Sequence, residues 1–252
     1  NVAYMAMEFI QGPELRTLLE GGLRPKLAHI IPNFQNPAGY TLSLPKRQDL
    51  LDLAAEHEFT IFEDDPYIDI RFTGSPLPTM LSMAGDDHVV YASSFSKTVC
   101  PGIRVGYLVG PDELIAEIAK LATNTYISPD MVAQSLVYDF CVSGRIEQSI
   151  ATVKAALKER CAALTEALAR ELPEASFVAP EGGYFMWVTL PEGTDVAAMF
   201  GAAAKLGVTF VKGSDFLLEG GGNALRLAYS GVTPAEVQEG VTRLAAAYRQ
   251  VA

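Results

Sequence analysis

The sequence predicts an α/β protein with a smaller α+β domain at its C-terminal end. Three observations carry this. Short apolar runs alternate with amphipathic helical patterns along the first part of the chain. Those runs end beside polar residues, and in open α/β sheets ligands bind at the carboxyl ends of strands. Beyond residue 172 the pattern changes to strand-like runs with helices between them.

In order along the chain, residues 27–34 (LAHIIPNF) read as a buried strand ending at Pro32. Residues 43–58 (SLPKRQDLLDLAAEHE) read as a helix, with Ser43 at the N-cap and Leu50, Leu53 and Ala54 on one face. FTIFEDD, DHVVYASS and RVGYLVG are three further strand-like runs. GPDELIAEIAKLAT starts a helix, with Pro111 and Asp112 suited to its first turn. SPDMVAQSLVYDFCVSG reads as another. From Arg145 an amphipathic pattern runs unbroken to Leu172, before Pro173, the kind of helix that bridges domains. SFVAPEGGYFMWVTLP, GVTFVKG and NALRLAYS then read as strands, and a last helix begins at Thr233. The expected organisation is therefore residues 1–144 as the large domain, 145–172 as a connecting helix and 173–252 as the small domain, which is of ordinary size for a domain.

Composition narrows the function classes. Of the 252 residues 49% are hydrophobic and 19% charged, an ordinary globular balance. No apolar run approaches the roughly 20 residues that cross a bilayer. The formal net charge of -11 argues against nucleic acid and anionic membranes as partners. Cys100, Cys141 and Cys161 are odd in number and widely spaced, which favours free thiols in a reducing compartment, hence the cytoplasm. His29, His57 and His88 show no metal-ligand spacing, and no metal site is expected. Met5, Met7, Met186 and Trp187 read as core, with Trp187 near substrate, and Cys100 as a small buried packing residue.

Three short stretches carry chemistry. PNFQNPAGY (residues 32–40) holds a turn signal at Asn36-Pro37 and Gly39, and alone it is a loop after a strand. EDDPY (residues 63–67) puts three carboxylates at a strand end, alone a solvated rim or a metal site. SSFSK (residues 93–97) ends in a lysine that alone reads as exposed. Their order is more specific than any one of them: strand then NPxG, strand then DxxY, strand then SxxK, and Arg104 seven residues later.

That order resembles the fold type I pyridoxal phosphate enzymes, and within them the class I/II aminotransferases of the 2-aminoadipate and aromatic branch. The resemblance covers nearly all of the chain. It implies a large domain with a mostly parallel sheet, pyridoxal 5'-phosphate as cofactor, and amino acid and 2-oxo acid substrates. It also implies a homodimer with the active site at the subunit interface. By resemblance Lys97 holds the cofactor covalently, and nearby cations such as Arg104 help to depress its pKa. Ser94, Ser96 and Arg104 resemble the phosphate-binding residues, Arg104 by a planar fork. Asp64 resembles the aspartate that pairs with the pyridine nitrogen, and Tyr67 and Asn36 the pair bonded to the phenolic oxygen. Arg226, in NALRLAYS, resembles the arginine that grips the substrate α-carboxylate and turns the α-hydrogen toward Lys97, which moves it as general base and acid. Glu63 and Asp65 do not match the spacing and are read as structural. Gly182 and Gly183 are read as letting backbone approach a ligand, or as a turn before an edge strand. By the same resemblance Tyr126 is a candidate for reaching a neighbouring subunit's site.

The family's upstream phosphate loop and ring-stacking aromatic have no counterpart here. The chain is therefore expected to be the C-terminal part of such an enzyme and to bind cofactor poorly without the remainder. Two other readings share the fold. One is the effector domain of a GntR/MocR-type transcription regulator, against which DDPY and GGYFMWV argue. The other is a β-lyase or decarboxylase using the same cofactor, since the protein chooses by orientation which bond breaks.

Overall fold

A computed structural model describes residues 5–6, 14–84 and 88–251, with backbone alone for Met5 and Ala6. Met7 lies outside the described residues. The chain divides into two compact units. The first takes the described residues up to Asn33, then Leu42–Ile70 and Ser75–Thr152. The second takes Phe34–Thr41, Arg71–Gly74 and the chain from Val153 onward.

In the first unit the elements run β1 (Met5–Ala6), α1 (Leu15–Glu20), β2 (Leu27–Ile30), α2 (Leu44–His57), β3 (Thr60–Asp64), α3 (Met80–Ala84), β4 (Val89–Ser94), β5 (Gly106–Val109), α4 (Asp112–Tyr126) and α5 (Met131–Val142). The five strands form one sheet in sequence order. The pairs β1–β2, β2–β3 and β3–β4 are parallel, and β5 returns antiparallel to β4. Alternation along β3 buries Ile61 and Glu63 and leaves Phe62 and Asp64 half-buried on the other face. Against the sheet, α2 buries Leu50, Leu51, Leu53 and Ala54 in a cluster with Ala28, Ile30, Phe59 and Ile61. Each such leucine contributes roughly 1.5–3 kcal/mol. Ser43 does sit at the N-cap of α2, but its side chain makes no capping bond. Pro111 takes the N-cap position of α4, and Asp112 opens its first turn.

The long helix α6 (Arg145–Glu171) is about 40 Å long by its 27 residues. The boundary between the units falls inside it, between Thr152 and Val153. Its buried residues Leu157, Cys161, Leu164 and Leu168 recur at helical spacing. The second unit continues with β6 (Ser176–Phe177), β7 (Phe185–Thr189), α7 (Val196–Lys205), β8 (Val211–Lys212), β9 (Ala224–Ala228) and α8 (Pro234–Tyr248). Its sheet has the order β6-β7-β9-β8, antiparallel throughout. This is the α+β arrangement that the pattern change past residue 172 predicts. Met186 and Trp187 are buried, as expected of core residues. A full capping box, Thr233 with Glu236, fixes the start of α8.

Two sequence expectations need correction. Cys100 is exposed, because it precedes the surface turn Pro101–Ile103 instead of lying inside a packed element. The room left by Gly182 and Gly183 is taken by Phe34, not by a ligand. A Cβ on Gly182 would lie 2.3 Å from the Phe34 ring, and one on Gly183 2.4 Å from Phe34 Cβ. The strand that follows, β7, is interior to its sheet and not an edge. Among the described residues, no helix is long and apolar enough to cross a membrane.

Candidate active site

Parallel pairing brings the polar ends of β3 and β4 side by side in the first unit, with Asp64 in register with Ala92. Asp64 closes β3 on the half-buried face. The chain then turns, and Tyr67 is buried three residues on. Past β4, a turn carries Ser96 and Lys97. Lys97 Nζ lies 5.9 Å from the centroid of the Tyr67 ring. Burial lowers the pKa of Lys97, and the Arg104 guanidinium lowers it further. An amine that loses its proton more readily than a surface lysine is the better nucleophile.

Beside that amine, two hydroxyls and a guanidinium converge. Ser94 Oγ donates to Ser96 Oγ at 2.9 Å, and Arg104 Nη1 donates to Ser96 Oγ at 3.1 Å. The Ser96 amide donates to Ser94 Oγ at 3.1 Å. Arg104 holds a left-handed backbone, φ 53°, at the end of the Pro101–Ile103 turn. This donor set suits a phosphate group: one permanent cation with planar donors, and hydroxyls that rotate to donate.

The three carboxylates of EDDPY do not converge. Glu63 turns inward and accepts from the backbone amides of Met80 and Leu81 at 2.8 and 3.0 Å, holding the start of α3. Asp65 is buried and accepts from Asn33 Nδ2 at 2.7 Å. Asp64 alone faces the other way, as strand alternation requires. Among the described residues no group of three or more His, Cys, Asp or Glu side chains is placed to hold a metal ion.

Sequence reasoning missed the neighbour of Asp64. His29 Nε2 lies 3.1 Å from Asp64 Oδ2. His29 pairs in register with Phe62, so it shares a face with Asp64 two residues on. The signal was present as a period of two on each strand, but it needed the pairing register to be read.

The second unit carries the remaining two site residues and brings them together. Arg226 Nη1 donates to Asn36 Oδ1 at 2.5 Å. The Arg226 guanidinium lies 4.2 Å from the ring centroid of Phe185 and 4.9 Å from that of Phe216. The Asn36 segment is fixed at both ends. Phe34 sits under Gly182 and Gly183, and Gly39 packs so close to the Phe185 carbonyl that a Cβ would come within 2.5 Å of its oxygen. With Asn36 Oδ1 engaged by Arg226, Nδ2 is the group Asn36 presents as a donor. Phe185 and Phe216 were not singled out from sequence, since aromatic residues near a strand read as core.

Known proteins resemble the chain over nearly all of its length. The chain is 33% identical to aromatic-amino-acid aminotransferase 1 of Thermococcus litoralis over 96% of its length. It is 35% identical to the 2-aminoadipate transaminase of Thermus thermophilus over 95% of its length. It spans 62% of the length of each of these two relatives. Among solved structures it is similar to LysN, the alpha-aminoadipate aminotransferase of Thermus thermophilus, complexed with N-(5'-phosphopyridoxyl)-L-leucine. The TM-score is 0.88 at 33% identity, covering 95% of this chain and 63% of that one. The family model for aminotransferase class I and II matches residues 17–244, a stretch that takes in Asn36, Asp64, Tyr67, Lys97, Arg104 and Arg226. The likeness is therefore that of both units, and the chain belongs to the class I and II aminotransferase family.

Proposed function

We propose that the protein is a pyridoxal 5'-phosphate-dependent aminotransferase, moving an amino group between an L-amino acid and a 2-oxo acid. The observation that carries this is Lys97: a lysine of lowered pKa at a strand end, over the Tyr67 ring and beside a Ser94–Ser96–Arg104 cradle that suits a phosphate. When bound, the cofactor supplies an electron sink that weakens the bonds at an amino acid's α-carbon.

Each residue has its own task in this reading. The Lys97 amine holds the cofactor covalently. Ser94 Oγ, Ser96 Oγ and the Arg104 guanidinium donate to its phosphate oxygens. The Asp64 carboxylate accepts from the pyridine nitrogen and keeps it protonated. Tyr67 Oη and Asn36 Nδ2 donate to the phenolic oxygen. Arg226, held in plane by two rings and by Asn36, offers a fork to the substrate α-carboxylate. Once the substrate amine has displaced it from the cofactor, the free Lys97 amine would take the proton from the substrate α-carbon as general base and return it as general acid.

The same reading assigns the protein to a cytoplasmic homodimer. Exposed apolar side chains on α4 and α5, among them Leu121, Tyr126, Val132, Leu136 and Tyr138, support a protein partner at that surface. The function is tested by borohydride reduction of the cofactor-loaded protein and mapping of the tagged peptide. The tag is expected on Lys97, and the Lys97→Ala variant is expected to lack both tag and turnover. A tag elsewhere, or none, overturns the assignment. Amino acids alone should convert the cofactor to its amine form, whereas release of ammonia and a 2-oxo acid would point to lyase chemistry instead.

A further inference from the structure

Asp65 was read from the sequence as structural, yet its bonds reach three neighbouring strand ends of the first unit. Asn33 Nδ2 donates to its Oδ2 at 2.7 Å. Its Oδ1 is buried with no hydrogen-bond partner among the described residues. Asn33 in turn accepts, through Oδ1, from Arg47 Nη2 at 3.0 Å. Arg47 is wholly buried and also donates to the carbonyls of Leu42, Pro78 and Pro32 at 3.0, 2.8 and 3.3 Å. On its other side the Asp65 main chain is tied to β4. Its amide donates to the Ala92 carbonyl at 2.8 Å, and its carbonyl accepts from Ser93 Oγ at 3.0 Å.

One residue thus joins the carboxyl ends of β2, β3 and β4. Those ends lead directly into Asn36, into Asp64 and Tyr67, and into Ser94, Ser96 and Lys97. Burying a carboxyl, an amide and a guanidinium together is unfavourable, and apolar side chains of similar volume would pack the same space at least as stably. A buried polar cluster that touches all three strand ends is better suited to fixing their geometry than to adding stability.

We infer that Asp65 is a positioning residue of the site, and that it locks the Asp64–Tyr67 turn to the two neighbouring strand ends while its carboxyl is neutral. The inference rests on the roles proposed for Lys97 and Asp64. The charges around Asp65 agree with it. Burial raises its pKa, to about 7; the Asn33 bond and Arg47 oppose the rise, while Glu63 and Asp69 add to it. Tyr91 of β4 feels the same carboxyl. Burial raises Glu63 too, but two backbone donors and Arg47 pull it back, so Glu63 is the better counter-charge for Arg47. Protonation of Asp65 on Oδ1, the oxygen without a donor, removes the second charge from the pocket. Above neutrality that charge returns beside Glu63 and Asp69 and strains the lock.

The test uses the protein encoded by the complete reading frame. Capture of pyridoxal phosphate is followed by absorbance, and tagging of Lys97 by borohydride, from about pH 6 to about pH 8.5, with thermal melting as the folding control. D65N keeps the Asn33 bond but cannot ionise. It should match wild type at about pH 6, and its cofactor half-saturation should rise at least about threefold less than that of wild type across the range. D65A and N33A should need about tenfold more cofactor at either end of the range. A D65N profile that follows wild type overturns the inference. So do N33A and D65A proteins that melt lower yet capture cofactor like wild type. If D65A does not fold, the D65N comparison decides. Failure of wild type to carry a tag on Lys97 overturns the proposed function, and this inference with it.

Discussion

Arg226 Nη1 donates to Asn36 Oδ1 at 2.5 Å, across 190 positions of sequence. The bond fixes two things at once: the plane of the guanidinium and the way round of the Asn36 amide. A lysine at 226 keeps the charge but loses the planar fork. Arg226→Lys should raise KM for the amino acid about 10- to 100-fold, roughly 1.4–2.7 kcal/mol, with a smaller fall in kcat. Steady-state kinetics at several amino acid concentrations checks this. An unchanged KM would remove Arg226 from carboxylate binding.

Lys97 should react with carbonyl compounds at a lower pH than an ordinary lysine. Burial is the larger cause and the Arg104 guanidinium the smaller. Arg104→Gln should therefore move the pH profile of Lys97 modification upward, but not back to that of a free lysine. Mass-spectrometric labelling rates against pH read this directly. A profile that moves downward in the variant contradicts the assigned cause.

Asp65 has a linkage consequence of known sign. Its pKa is raised on folding, from 3.8 to about 7. The folded state then binds the proton more tightly than the unfolded chain, so stability falls as pH rises between about 4 and 7 and is flat above. The expected loss from this group is on the order of 4 kcal/mol. Denaturant unfolding at several pH values should show a clearly steeper fall in wild type than in Asp65→Asn, which keeps only the slope from other groups such as Glu63.

Gly182→Ala and Gly183→Ala should each destabilise the second unit by about 1–3 kcal/mol or more, because Phe34 occupies the space a Cβ needs. Gly183 is strained in addition by its φ of +74°. Phe34→Ala alone leaves a cavity and is expected to lose about 3–5 kcal/mol. The pair Gly182→Ala with Phe34→Ala should lose clearly less than the sum of the two single changes. Simple additivity in thermal or denaturant melts would contradict the contact.

The order of strands and helices was legible because it is written in local chemistry: apolar runs of strand length, a helix start at Thr233, and an unbroken helical pattern from Arg145. Most of the motif residues were legible for the same reason, lying at a strand end or in the turn beyond it; Arg226 instead sits mid-strand in β9 and was legible only through the resemblance. Two short helices, Leu15–Glu20 and Met80–Ala84, were not, since five or six residues carry too little periodicity. Cys100 was misread because burial depends on where a turn runs, which residue type does not determine.

By itself the sequence determined the α/β class, the change to an α+β unit, and the presence of Asn36, Asp64, Tyr67, Lys97, Arg104 and Arg226 in one family's order. Only the tertiary structure decided what each of them meets. It paired His29 with Asp64, put Asn33 and Arg47 behind Asp65, filled the room beside two glycines with Phe34, and closed Arg226 between Phe185 and Phe216. The reason is physical. Periodicity and turn chemistry act over a few residues, whereas these contacts join distant positions through strand register and close packing, which no local pattern encodes.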